Sequence, residues 1–373
     1  MSNLVLYRKY RPKSFSDVIG QNHVVKTLKN AIKADNISHA YLFTGPRGTG
    51  KTTMARLLAK AVNCKEEGAE PCNECETCKA IMSGNAVDLI EIDAASHRGI
   101  DEIRQLREGI KFSPNKLKYK VYIIDESHQL TKGAANALLK TLEEAPDHAI
   151  FVLATTEPQK MLPTIISRCQ RFDFKKLNFS QITEKLNKIL KAEGVEADDG
   201  TLEIIASAAG GSFRDAESLL DQILTFSGDK LTEEDVRSLL GLVETKYIYE
   251  FVDLLIEGER LKAIKFLEKL YKEGVALEEF HSSLLEYLRQ MMAISLVEDI
   301  KNEESPIVTG LRVSFTEEEL EKLKDQAERG AGKISRMLEL FLRAGKRMDY
   351  SPIPQLPIEM AIVELTNNDE LQN

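Results

Sequence analysis

No apolar run in this 373-residue chain approaches the ~18 residues that a membrane span requires. The N-terminus, Met1-Ser2-Asn3-Leu4, lacks the charged and apolar regions of a secretory signal. These absences predict a cytoplasmic protein with no membrane partner. Basic residues are not in excess: the formal net charge is −9. That excludes a surface coated in positive charge but not a local basic patch on nucleic acid. No internal repeat and no low-complexity tail is visible, which excludes repeat arrays. Cysteine is scarce, five in all, and four of the five fall between positions 64 and 78. In a cytosolic chain such clustering points to metal rather than disulfides. The remaining composition, 43% hydrophobic and 29% charged, is that of an ordinary globular protein long enough for two or three domains.

The stretch with the most chemistry is Gly45-Pro46-Arg47-Gly48-Thr49-Gly50-Lys51-Thr52. It follows an apolar run, Ala40-Tyr41-Leu42-Phe43, and opens a helical pattern at Met54, Leu57, Leu58, Ala61 and Val62. Strand, glycine-rich turn and helix start are the context of a phosphate-binding loop. The glycines let successive N–H groups point inward, and the helix start favours an anion. Lys51 would reach the β- and γ-phosphates, and the Thr52 hydroxyl would hold Mg²⁺.

Strands are expected at 40–43, 87–92, 121–124, 150–154 and 172–174, with helices between them. The first four are short and nearly all apolar, which suits a parallel sheet buried on both faces. The class is α/β to about residue 178. From about 179 the strand signals stop. Helices are expected at 182–193 and 201–209, broken by Gly210-Gly211, and after Ser212 and Thr232, which have capping-box spacing. Gly241 is a plausible boundary. The expected plan is a nucleotide-binding domain over 1–178, a small helical domain over 179–242 and a second helical domain over 243–373. In the last of these, Pro352, Pro354 and Pro357 precede a final apolar helix at 358–365.

Val121-Tyr122-Ile123-Ile124-Asp125-Glu126 is the expected partner of the loop. An apolar strand ending in two carboxylates matches a Walker B element. Asp125 would approach the Mg²⁺ held by Thr52, and Glu126 would polarise the attacking water. A strand that ends at Thr155 sets a hydroxyl beside the γ-phosphate if it neighbours the loop strand. Arg168 could project into the nucleotide of a neighbouring subunit. Arg214, at the start of a helix in the second domain, could reach the γ-phosphate from there. Cys64, Cys72, Cys75 and Cys78 are spaced C-x₇-C-x₂-C-x₂-C. Four thiolates can close a tetrahedral Zn²⁺ site with no open position, which makes it structural; an iron–sulfur cluster is the rival. Ser96-His97-Arg98-Gly99 enters a helix, where Arg98 could meet a phosphate without reading sequence.

Taken in order, the chain resembles the tau/gamma ATPase subunits of bacterial DNA polymerase III clamp loaders, an AAA+ family. The matching stretches are Tyr7-Arg8-Lys9-Tyr10-Arg11-Pro12, residues 45–53, the cysteine cluster, Asp125-Glu126-Ser127-His128, Ala154-Thr155-Thr156-Glu157-Pro158, Ser167-Arg168-Cys169 and residues 211–215. The sequence departs from the family at Ser127, where an apolar residue is usual, and at Glu217, where Leu is frequent. The resemblance implies an AAA+ domain with a parallel five-stranded sheet and a zinc insert, a helical lid and a helical collar. It implies ATP, Mg²⁺ and Zn²⁺ as cofactors. Arg8, Tyr10, Arg11, Pro12, Val18 and Ile19 would line the adenine side, and residues 45–53, through Thr53, the phosphates. Thr155 and Arg214 would be the first and second sensors, and Arg168 would act in trans. Implied partners are the other clamp-loader subunits, copies of the chain itself, the sliding clamp and primer–template DNA. The function implied is ATP-driven opening of the clamp and its loading on DNA, within a polymerase holoenzyme whose bond-forming chemistry is not apparent in this chain. A hexameric AAA+ DNA motor, such as a branch-migration helicase, shares the loop and sensors but predicts neither the cysteine insert nor an all-helical last domain.

Overall fold

The computed structural model describes residues 5–198, 200–227, 230–240, 245–296 and 317–367. Gly241, a suggested boundary, lies outside them, as do Met1-Ser2-Asn3-Leu4. The chain forms two compact units, Met1–Leu231 and Thr232–Asn373.

The first unit is built on a parallel sheet of five strands: β1 (Ala40–Thr44), β2 (Leu89–Asp93), β3 (Lys120–Asp125), β4 (Ala149–Thr155) and β5 (Gln170–Asp173). Their order is β2-β3-β4-β1-β5. β1 and β4 are buried along their whole lengths, as their unbroken apolar runs require in a sheet covered on both faces. β2 is an edge strand and only half-buried. It starts two residues later than its apolar run, leaving Val87 74% exposed. The reason is Asp88, buried before the strand. Its carboxylate accepts from the N–H groups of Asn115, Lys116 and Leu117 at 2.8–3.1 Å.

Helices α1 (Leu6–Lys9), α2 (Asn22–Lys33), α3 (Lys51–Val62), α4 (Glu76–Met82), α5 (Ile100–Ile110), α6 (Lys132–Glu143) and α7 (Pro163–Ile166) accompany the strands. One core cluster joins α3 to Tyr41, Phe43 and Phe172 on one face of the sheet. Another joins α5 and α6 to Leu42, Tyr122 and Phe151 on the other face. Tyr122 and Phe151 stack with ring centroids 5.3 Å apart.

Three helices complete this unit: α8 (Phe179–Glu193), α9 (Thr201–Ala208) and α10 (Phe213–Ser227). A capping box of Asn178 and Gln181 starts α8 three residues before its apolar pattern begins. Gly210 and Gly211 have φ of 56° and 93°, so the chain turns between α9 and α10 as the glycine pair predicts. Strands do not stop at residue 179. Glu196–Ala197 (β6) pairs in parallel with Lys230–Leu231 (β7). Two residues each are too few for an alternating pattern to be read.

The second unit is helical: α11 (Glu233–Leu239), α12 (Thr245–Ile256), α13 (Arg260–Lys272), α14 (Leu277–Ser295), α15 (Glu317–Arg329), α16 (Ile334–Met348) and α17 (Leu356–Asn367). Phe251, Phe280 and Phe341 meet edge-to-face at its centre, 5.1 and 6.2 Å from centroid to centroid. Gln326 is wholly buried, accepts from Tyr287 Oη at 2.6 Å and donates to Tyr249 O at 3.0 Å. Pro357 falls in the first turn of α17, where its missing N–H costs nothing. Among the described residues no helix is long and apolar enough to cross a membrane.

Candidate functional site

The loop between β1 and α3 needs its glycines. Gly45, Gly48 and Gly50 have φ of 143°, 74° and 97°, a region in which an L side chain is strained. A Cβ at Gly45 would lie 2.3 Å from Phe174 O, and one at Gly48 1.8 Å from Ser212 Oγ. Lys51, the first residue of α3, is buried, and its Nζ donates to Gly45 O at 2.7 Å and Pro46 O at 2.8 Å. Burial holds its pKa below the ordinary lysine value, and the carboxylates of Glu126 and Asp125 restore it only in part. An anion arriving beside this ammonium stabilises its charged form. Thr49 Oγ1 ties the loop to itself by donating to Pro46 O at 2.9 Å.

The sheet order brings the other chemistry to the same end. Thr52 Oγ1 donates to Asp125 Oδ2 at 2.7 Å, linking α3 to the end of β3. A hydroxyl and a carboxylate this close are hard oxygen donors of the kind that hold Mg²⁺ beside a phosphate. Glu126 follows in the left-handed region, φ 47°. For a residue with a Cβ this is a costly conformation, tolerated where function requires it. Its carboxylate accepts from Thr156 Oγ1 at 2.9 Å, with His128 Nδ1 3.5 Å away. His128 Nδ1 also lies 2.9 Å from Thr155 Oγ1, and Nε2 lies 3.3 Å from Glu157 Oε1. β4 is the direct neighbour of β1, with Thr155 in register with Thr44, and Gly45 N donates to Thr155 O at 3.2 Å.

A cleft of about 820 Å³ opens over the loop. Arg47, Thr49, Thr52 and Thr53 line it, with Asp125 and Glu126. Arg8, Arg11, Pro12, Val18 and Ile19 form a second wall, and Arg214 reaches in from α10. Gly45, Pro46, Tyr10, Thr155 and Arg168 are not among the lining residues. Tyr10 instead donates its hydroxyl to Glu193 Oε1 at 2.7 Å. Tyr7 takes a place in the cleft, with the Arg214 guanidinium 5.3 Å from its ring centroid. Thr155 is wholly buried. Arg168 donates to Thr164 O at 2.7 Å and to Glu143 Oε1 at 2.5 Å. Arg98 is exposed, and its carbonyl accepts from Thr131 N at 3.1 Å. Asp101 and Glu102 already occupy the positive end of α5 that it precedes.

The four clustered cysteines converge, with all four sulfurs within 4.8 Å of one another. Cys78 Sγ is 4.0 Å from Cys72 Sγ and 3.8 Å from Cys64 Sγ. Tetrahedral Zn–S bonds of about 2.3 Å set sulfurs about 3.8 Å apart, so the cluster fits a zinc ion. The N–H groups of Cys72, Cys75 and Cys78 point at Cys64, Cys72 and Cys75 sulfurs at 3.3–3.4 Å. Burial raises the Cys75 thiol, but the N–H groups of Lys65 and Cys78 outweigh it and bring it down to about 6. Cys169 stands apart, and burial pushes its thiol up to about 11.

Three family profiles cover the chain almost end to end. "DNA polymerase III, delta subunit" matches residues 20–178. "DNA polymerase III clamp loader subunit, ATPase lid domain" matches 181–229, and "DNA polymerase III subunits gamma and tau domain III" matches 231–373. DNA polymerase III subunit gamma of Buchnera aphidicola is 37% identical over 371 residues, which is 98% of this chain and 99% of that protein. The chain belongs to the tau/gamma subunits of bacterial clamp loaders. Subunit tau of Bacillus subtilis is 45% identical over 98% of this chain. Against that relative the chain spans 63% of the length. The branch-migration motor RuvB of Thermotoga maritima superimposes with a TM-score of 0.47 at 21% identity, over 72% of this chain and 86% of RuvB; likeness at this level carries no argument about function. The relatives favour the clamp-loader reading over a DNA motor.

Within this clamp-loader chain, the sequence pointed past three contributors. Tyr7 lines the cleft where Tyr10 does not, and nothing in Tyr7-Arg8-Lys9-Tyr10 tells which ring turns toward it. His128 and Thr156 hold Glu126 through contacts between different strands, which no spacing announces.

Proposed function

We propose that this chain is the ATP-hydrolysing subunit of a clamp loader. It would open a ring-shaped sliding clamp and load it on primer–template DNA, within the bacterial replicative polymerase holoenzyme and without forming the DNA bond itself. The observation that carries the reading is the 2.7 Å contact of Thr52 with Asp125 beneath the glycine-rich loop. This is the geometry that a hydrolytic phosphate site needs.

Lys51 gives its ammonium to the β- and γ-phosphates. Thr52 and Asp125 would hold Mg²⁺, which would supply neutralising charge on the phosphates. Glu126, braced by Thr156 and His128, orients the attacking water as a general base does. Thr155 acts as the first sensor through His128 rather than by direct contact. Arg214 acts as the second, fixed against Tyr7. Arg8, Arg11, Pro12, Val18 and Ile19 receive the adenine. Arg168 completes the site of a neighbouring subunit; in its own chain it is held by Glu143 and Thr164, away from the cleft lining.

Cys64, Cys72, Cys75 and Cys78 would hold a structural Zn²⁺. Arg98 contacts DNA without reading sequence. In this reading the chain divides into a nucleotide-binding domain (1–178), a lid (179–242) and a collar (243–373) that joins it to copies of itself and to the other subunits, in the cytoplasm. The test is the ATPase rate of the reconstituted complex with and without clamp and primed DNA. Lys51→Ala should lower the stimulated rate at least about 100-fold. Hydrolysis that ignores both clamp and DNA, or that survives Lys51→Ala, refutes the proposal.

A further inference from the structure

Away from the phosphate loop, the cleft wall contains a buried ion pair. Lys185 on α8 and Glu217 on α10 meet with Nζ 2.6 Å from Oε1, their side chains only 12% and 5% exposed. Both residues line the cleft. Two well-packed apolar side chains often serve stability at least as well as a buried pair of this kind. Where such a pair faces a ligand cleft, recognition is the more economical explanation.

The pair shares its wall with Arg11, one of the residues proposed to receive the adenine, which is close enough to act on the charge of Glu217. α10 starts against the phosphate loop, since Ser212 leaves no room for a Cβ on Gly48. Arg214 comes next, and Glu217, three residues further on, shares its side of the helix. From Ser212 to Glu217 the helix axis advances about 7.5 Å, so Glu217 stands about that far along α10 from the contact with the loop. Val18 and Ile19 line the same cleft and offer apolar surface to a base face. Lys185 is steadied with its ammonium 4.5 Å from the Phe213 ring centroid. Lys185 Nζ takes one of the two Glu217 carboxylate oxygens, Oε1. Burial raises the pKa of Glu217, and Lys185 offsets this only in part. A carboxylate has two acceptor oxygens, and the second remains to take a further donor.

We infer that the Lys185–Glu217 pair reads the edge of the bound base and selects a 6-aminopurine over a 6-oxopurine. Glu217 can only accept and Lys185 can only donate. Adenine offers an amino donor beside the N7 acceptor, whereas a 6-oxopurine offers two acceptors there. An amino group satisfies Glu217 while N7 takes the ammonium; a carbonyl oxygen at the same place faces the carboxylate.

This inference rests on the nucleotide reading above, and the test separates the two. The dissociation constants of ATP and of inosine triphosphate are measured by calorimetry on the full chain. Wild type should prefer ATP by about 10-fold. In Lys185→Met/Glu217→Leu, an apolar pair chosen to keep the packing, the two constants should come within about 2-fold. Glu217→Gln, whose amide can donate to a carbonyl, should shift the ratio toward inosine triphosphate. Thermal melts of each variant establish that it is folded. Triphosphate binding with an ATP preference unchanged in both variants overturns the inference and leaves the nucleotide reading intact. Failure of wild type to bind either triphosphate overturns both.

Discussion

Asp88 bears the first stability prediction. The residue is 2% exposed, and its carboxylate gathers three backbone N–H groups that bring the 115–117 loop onto the edge of β2. Burial raises its pKa, but the donors of Lys116, Asn115 and Leu117 outweigh it, and the net shift is below the ordinary aspartate value. A depressed carboxylate contributes stability that is complete above the unfolded-state pKa, about 3.9, and is lost as pH falls through the lower folded value. Asp88→Ala should therefore cost about 3 kcal/mol at neutral pH, the loss of charge-assisted bonds plus orphaned donors. Thermal melts of Asp88→Asn should lose less stability than wild type between about pH 5 and pH 3. An equal loss would mean that Asp88 is not the titrating group. In the sequence Asp88 was only a residue inside an apolar run. Its partners lie 27–29 residues away, beyond any local pattern.

Among the elements, the cysteine insert is the most dependent on what it binds. α4 is seven residues long, far short of the ~12 that an isolated helix needs for marginal stability. Its N-cap is Cys75, whose sulfur accepts from Cys78 N. One end of the helix is therefore built from the cluster itself. The purified chain should carry about one zinc per molecule. Chelation should abolish protection from hydrogen exchange over residues 64–82 while β1, β3 and β4 stay protected, because metal binding supplies the folding energy of such a segment. A chain that is free of zinc yet fully protected there would refute the metal assignment. The cluster was legible from spacing alone, and so were the buried strands. The short pair β6–β7 and the late start of β2 were not, because both depend on neighbours rather than on the apolar pattern.

For the molecule as a whole, the prediction concerns incompleteness. Arg168 pairs with Glu143 and does not line its own cleft, so hydrolysis should need a second subunit. In a reconstituted complex Arg168→Ala should bind ATP normally yet turn over about 1,000-fold more slowly, the scale of an arginine finger. Mixing it with Lys51→Ala chains should restore part of the rate by complementation. A monomeric Arg168→Ala chain with full activity would end the case for action in trans. The sequence by itself determined the loop, its two carboxylates, the four cysteines and the α/β-then-helical succession. Each is written in residues a few positions apart, where backbone geometry alone sets the outcome. Only the tertiary structure decided that Tyr7 rather than Tyr10 enters the cleft, that His128 and Thr156 brace Glu126, and that Lys185 and Glu217 meet. Those contacts join strands and helices far apart in the chain, and whether they form depends on the strand order and on how α8 and α10 pack.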